Sequence, residues 1–260
     1  MSTWSMALRQ SDYYWTLYRR TWKGSVFSSF LTPLLYVLAM GVLLGGFVEA
    51  DPSRLEGAPS YLAFVAPGLL AAQTMQTAVF ETTYPVLSAT KWQRVYFGMN
   101  ATPLRALDIA NAALGFVLLR LVLIAIVFVA VLAPFGVFVS VPAAIGALLV
   151  SILVGAAIGM PVYAYAVGVP NESSFSLIFR LGVIPQFLFS GAFFPISNLS
   201  PALEWLARLT PLYQGVDLTR MLSLGTWHTG PALVHLAYLL VLLVVFHRVA
   251  VRRLAKRLAF

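Results

Sequence analysis

An all-α polytopic membrane protein is the fold class this sequence predicts: six transmembrane helices, an N-terminal amphipathic interface helix and a re-entrant helical hairpin before the last span. Three observations predict it. Of 260 residues, 60% are hydrophobic and 10% charged, whereas a soluble domain carries about 25% charged residues. The apolar residues gather in runs near the ~20 that a helix needs to cross a bilayer. The net charge of +8 is concentrated in alternate connecting segments, as the positive-inside rule describes.

The first element is 4–23. At 100° per residue, Trp4, Leu8, Trp15, Tyr18 and Trp22 share one face, and Arg9, Thr16, Arg20 and Lys23 share the other. Aromatic rings opposite a basic face describe a helix lying in the membrane interface. Two readings stand together: an anchor before the first span, or a helix that docks a partner. The first 24 residues contain no apolar core of a cleavable signal, so an internal span is expected to direct insertion.

The first span, 27–48, carries no charge. Pro33 falls in its first turns, where a missing N–H is tolerated. A short acidic loop leads to the second span, 61–82, which carries Pro67-Gly68 and the polar run Gln73, Thr74, Gln76, Thr77. The loop 83–106 is basic and aromatic, with Pro85 and Pro103 near its ends. The third span, 107–133, follows, then the Gly- and Ala-rich fourth, 142–168, and the fifth, 175–194. Pro195, Pro201 and Pro211 divide 195–230 into pieces too short to cross a bilayer. Ser200 and Thr210 are placed to cap two short helices whose first residues are prolines. Such a hairpin is tolerated at membrane depth only where it packs on protein or lines a cavity. The sixth span is 231–250, and a basic tail follows.

Segments 1–26, 83–106 and 247–260 contain twelve of the seventeen Lys and Arg residues, while 49–60 and 195–230 contain three. The first group is therefore expected in the cytoplasm, with both termini inside. The basic excess fits this topology better than nucleic-acid binding, and no nucleic-acid partner is expected.

Catalytic signals are nearly absent. Lys23, Lys91 and Lys256 lack the glycines and the hydroxyl neighbour of a phosphate-binding loop. There is no cysteine, and the nine acids are scattered. Neither a catalytic residue nor a metal site is expected. Ionisable groups near the spans are functional candidates by default. Glu81 either reaches the headgroups or serves transport, and Arg120 either snorkels or pairs with Glu81 or Asp108. The polar run of the second span lines a path or bonds neighbouring helices. Lys91, Trp92, Arg94 and Tyr96 suit either a protein-docking element, since aromatics and Arg dominate binding hot spots, or a second interfacial helix.

Three stretches resemble a known family: Ala66-Pro-Gly through Phe80-Glu-Thr-Thr-Tyr; Thr102-Pro-Leu-Arg-Ala-Leu-Asp-Ile; and Ser190-Gly-Ala-Phe-Phe-Pro-Ile-Ser-Asn-Leu-Ser-Pro with Leu209-Thr-Pro-Leu-Tyr-Gln-Gly-Val-Asp-Leu-Thr-Arg. The chain is similar to the membrane subunits of ABC-2 type ABC transporters, above all the lipo-oligosaccharide and nodulation-factor exporter permeases. Daunorubicin-type drug exporters are neighbouring relatives. One departure is Ser200, where the family often joins Leu and Pro directly. The resemblance covers essentially all of 1–260 as one transmembrane domain.

It implies a permease subunit in a bacterial inner membrane, paired with a second copy and with a separate cytoplasmic ATPase. ATP and Mg would bind the ATPase, and this chain would bind no cofactor. An amphipathic lipo-oligosaccharide, glycolipid or drug would move outward among membrane lipids. The resemblance further implies that 4–23, with Arg9, Arg20 and Lys23, touches the ATPase. Lys91, Trp92, Arg94 and Tyr96 would couple to it. Gln73, Gln76, Phe80, Glu81 and Phe187 would line the pathway, and Phe193, Phe194 and Pro195 would gate it. The alternative is an ATPase-independent secondary transporter or channel that uses Glu81.

Overall fold

The computed structural model describes residues 31, 33–43 and 55–259, with Thr16 and Arg19 as isolated positions. The expected interface helix 4–23, including Arg9, Arg20 and Lys23, lies outside the described residues. The first span is described only at 31 and 33–43, where Val37–Leu43 is π-helical.

Helix α1, Tyr61–Thr82, starts where the Ser60 hydroxyl accepts from the Ala63 N–H at 3.1 Å. It runs on through Tyr84–Leu87 and a π-helical turn, Ser88–Trp92. Short helix α2 is Val95–Asn100, α3 is Ala106–Leu132, and α4 is Val141–Ala166, capped by Ser140. A helical stretch then passes through Phe175–Leu177 and π-helical Ile178–Val183 into α5, Ile184–Phe189. Helix α6 is Pro201–Arg208, α7 is Pro211–Leu224, and α8 is Thr229–Leu258. Thr210 caps α7 through the Tyr213 N–H, whereas the Ser200 side chain makes no capping bond.

Among the described residues, four helices are long and apolar enough to cross a membrane: Tyr61–Trp92, Ala106–Phe135, Val141–Ala166 and Thr229–Leu258. The segment expected as a fifth span, 175–194, is helical only to Phe189. At 1.5 Å per residue it falls short of a ~30 Å hydrocarbon core. Its π-helical turn has a local cause. Pro185 cannot donate to the preceding turn, and the Ile184 N–H bonds Phe179 O, five residues back. The helix of the last expected span, 231–250, is longer than that span, because α8 continues without a break through the basic tail.

Helix α4 is the hub, packed against α1, α3, α7 and α8. Its small residues permit this close approach. A Cβ on Gly155 would lie 2.7 Å from Leu121 Cδ1 and 2.9 Å from the Thr74 carbonyl, and Gly215 of α7 abuts Val154. Pro67 leaves α1 short of an N–H donor. Helix α7 reaches the carbonyls on this stretch: Arg220 Nε donates to Phe64 O at 3.3 Å, and Thr219 Oγ1 lies 3.2 Å from Pro67 O.

The two ends of the bundle differ. One collects 83–105, the turn 167–174 and the end of α8: Lys91 reaches Asn171, and Asn100 Nδ2 donates to Leu258 O. This is the basic end. The other collects 55–64, the α3–α4 turn, 190–198 and α7, where the Val139 N–H donates to Ser223 O. This is the hairpin end.

Candidate functional site

Helix α1 is buried almost throughout. Its partly exposed middle residues are Gln73, Gln76, Phe80 and Glu81. Gln73, Gln76 and Phe80 stand at i, i+3 and i+7 and so share one stripe. The Phe80 ring is 57% exposed and lies 5.4 Å from the Phe179 ring. The 175–189 stretch flanks this stripe and presents exposed Leu177, Leu181, Ile184 and Leu188. Phe187 turns inward and meets Phe193 edge-on at 4.9 Å. Neither Gln73 nor Gln76 makes a side-chain hydrogen bond to another described residue. Bare amides in hydrocarbon cost free energy, so this stripe calls for a polar partner.

Glu81 departs from that stripe. Its Oε1 accepts from Arg120 Nε at 2.9 Å, with the two side chains 19% and 18% exposed. Of the two acids open to Arg120, Glu81 is the partner. Asp108 instead caps α3, accepting from the Arg105 N–H at 3.0 Å. Five candidate pathway residues therefore divide into three on the α1 stripe, Phe187 on the flanking stretch, and Glu81 in an ion pair with α3.

The three residues expected to gate, Phe193, Phe194 and Pro195, sit in a braced turn. Phe193 and Phe194 are partly buried and Pro195 is buried. Tyr61 Oη donates to Phe193 O at 3.1 Å. Gly191 adopts φ +80°, open to glycine without strain. Gly68 of α1 is so close to Ala192 that a Cβ would come within 2.8 Å of its Cα.

Arg220 locks this turn to the rest of the hairpin end. Its Nη2 donates to Gly191 O at 2.6 Å and its Nη1 to Glu56 Oε2 at 2.8 Å. Its guanidinium stacks 3.8 Å above the Phe64 ring. A second polar cluster joins the hairpin to α8. His235 Nε2 meets Asp217 Oδ2 at 2.9 Å, and His235 Nδ1 meets Gln214 Oε1. Gln214 Nε2 donates to Arg208 O, which fixes the amide orientation. Both ring nitrogens thus face acceptors on α7.

Sequence reasoning placed Gln214, Asp217 and Arg220 in the resembling stretch 209–220 without giving them a structural role, and passed over His235. The available signal was a lone Arg in an apolar helix, one turn after an Asp.

At the basic end, the coupling candidates take different roles. Trp92 is 53% exposed. Arg94 lies in the left-handed region, φ +54°, with its guanidinium over the Phe97 ring at 4.7 Å. Lys91 Nζ donates to Asn171 Oδ1 at 2.9 Å and to Pro170 O, tying this segment to the α4–α5 turn. Tyr96 is buried and packs in one cluster with Leu254 and Leu258 of α8. It anchors the segment and offers no docking surface. Lys91, Arg94, Phe97 and Arg257 line a shallow cavity of about 430 Å³.

These features define a polytopic α-helical membrane domain with a partly exposed polar seam, a braced hairpin at one end and a basic, aromatic segment at the other. Residues 10–224 match the ABC-2 type transporter family, and the chain belongs to it: it is the membrane subunit of an ABC transporter and not its catalytic component. Subunits of this kind generally work with a cytoplasmic ATPase.

The chain is 30% identical over 243 residues to nodulation protein J of Rhizobium leguminosarum bv. viciae, covering 91% of this chain and 90% of that one. It is 30% identical over 251 residues to nodulation protein J of Sinorhizobium fredii, covering 94% and 92%. The counterpart from Rhizobium leguminosarum bv. trifolii is 31% identical over 210 residues, 78% and 77% of the two chains. No solved structure matches the chain.

Proposed function

We propose that this chain forms half of an export pathway in a bacterial inner membrane, driven by a separate cytoplasmic ATPase, with a second copy completing the pathway. The basic end faces the cytoplasm, because the loop and tail that meet there carry eight of the seventeen Lys and Arg residues. The hairpin end faces outward.

One observation carries the reading. On a helix otherwise buried, Gln73, Gln76 and Phe80 form a stripe whose amides bond no described residue. A second copy facing that stripe would enclose a passage with polar amides along apolar walls. Such a lining suits an amphipathic cargo such as a lipo-oligosaccharide, glycolipid or drug. The relatives named nodulation protein J favour the first of these.

Coupling follows from the basic end. Exposed Trp92 and Arg94 meet the ATPase, and buried Tyr96 together with Lys91 transmits its movement to α8 and to the turn after α4. The Glu81–Arg120 pair favours this reading over transport driven by Glu81, since the carboxylate is already matched by a cation.

Cysteine cross-linking tests the seam. Phe80→Cys, alone or with Leu181→Cys, is expected to cross-link two copies in membranes, and an excess of cargo is expected to slow the reaction. Cysteines at Leu119 or Ile126, exposed on α3, should not cross-link. The reverse pattern would place the seam elsewhere.

A further inference from the structure

We propose that the basic end holds a binding site for a phosphate-bearing anion, filled in the membrane by an anionic phospholipid headgroup. A cavity of about 590 Å³ lies between the turn after α4 and the last turns of α8. Arg253, Lys256 and Arg257 supply its cations, Ser174 supplies a hydroxyl, and Tyr165 and Pro170 supply apolar wall.

Among the described residues none of the three cations is within ion-pair distance of a carboxylate, although other cations of the chain are paired. Glu172 lies in the same turn and is exposed without such a pairing. Arg253 Nη1 is held by the Ala164 carbonyl at 3.2 Å. Three converging cations without a counter-ion form a site for an anion, and Arg is the residue suited to phosphate.

Position favours a lipid headgroup over an acidic protein segment. The exposed apolar face of α8, with Val241, Val244 and Val245, gives way to Arg248. The cavity therefore opens one to two turns beyond the hydrocarbon edge. Helical side chains tilt toward the helix N-terminus, which for α8 is back toward the bilayer. Arg253 shows this by reaching the last turn of α4. Basic pockets between spans at this depth are suited to anionic headgroups. This site is separate from the coupling residues, except that Arg257 also borders the smaller cavity beside Lys91 and Arg94.

The test is native mass spectrometry of the full chain in detergent with added phosphatidylglycerol, with phosphatidylcholine for comparison. Lys256→Ala/Arg257→Ala removes two exposed cations of the cavity. Arg248→Ala/Arg252→Ala removes two exposed cations of the same helix outside it, so net charge changes equally. The proposal expects retained phosphatidylglycerol to fall at least fivefold in the first variant and to stay within twofold in the second, with unchanged melting temperatures. Competition by millimolar inorganic phosphate would assign the site to free phosphate as well as to lipid; no competition would assign it to lipid alone. Equal loss in both variants would reduce the effect to general surface charge and overturn the site. The proposal would also fall if lipid retention held while the first variant lost only its ATPase partner, because the cavity would then serve a protein.

Discussion

Arg220 and Glu56, 164 positions apart in the chain, meet at 2.8 Å at the hairpin end. The guanidinium is 6% exposed and the carboxylate 39%. The same guanidinium binds the carbonyls of Phe64 and Gly191. One side chain thus ties the hairpin, the start of α1 and the turn after α5 into a single unit.

Arg220→Ala is expected to be severe. It strands the Phe64 and Gly191 carbonyls, each costing about 1–3 kcal/mol when buried without a partner, and removes the cation stacked on Phe64. Glu56→Gln leaves the buried guanidinium without its counter-charge but keeps both carbonyl bonds and an acceptor for Nη1, and should cost less, about 1–3 kcal/mol. Thermal unfolding in detergent measures both. Equal effects would mean that the ion pair, and not the carbonyl network, dominates.

The glycines of the α4 hub give a paired prediction. Gly155→Ala pushes a methyl into Leu121 and the Thr74 carbonyl, with an expected cost of about 1–3 kcal/mol. A Cβ on Gly115 of α3 meets nothing within 4 Å. Gly115→Ala should therefore gain about 0.5–1 kcal/mol from helix propensity. The same melts compare them, and a neutral Gly155→Ala would contradict the close packing described.

Glu81 and Arg120 should behave as one unit. Glu81→Gln and Arg120→Gln each break the ion pair from one side, while the double variant removes both of its charges. A double-mutant cycle is expected to show coupling of about 0.5–3 kcal/mol. ATP-driven export should survive in the double variant better than in either single one.

The coupling segment separates into contact and anchor. Trp92→Ala and Arg94→Glu should leave the fold intact and lower ATPase co-purification about tenfold or more, a loss of roughly 1.4 kcal/mol. Tyr96→Ala empties a buried position and should lower stability by about 3–5 kcal/mol. Pull-downs and melts on the same samples tell the two apart. Co-purification unchanged in Arg94→Glu would move the docking surface elsewhere.

Local features were legible in the sequence. Thr210 stands where a hydroxyl cap is needed and caps α7, whereas Ser200, placed in the same way before α6, makes no capping bond. The apolar runs at α1, α3 and α4 are helices with nearly the expected bounds, while α8 runs eight residues past its expected end. Pairings between distant segments were not legible. Arg120 had two candidate acids, and only the fold brings Glu81 to it while Asp108 turns to the α3 cap. Tyr96 reads as an exposed hot-spot aromatic until α8, more than 150 residues later, covers it. Arg220 reads as a charge on a short hairpin helix until Phe64, Glu56 and Gly191 close around it. The hydrophobic period reports which face is apolar and does not report which helix covers it.

The most direct measurement is cargo movement in sealed vesicles that contain this chain with or without its cognate ATPase, using a fluorescent lipo-oligosaccharide. The account predicts transport only with both subunits and ATP, little change in Glu81→Gln/Arg120→Gln, and loss of transport when the ATPase cannot hydrolyse. Transport by this chain alone down an ion gradient, abolished by Glu81→Gln, would contradict it.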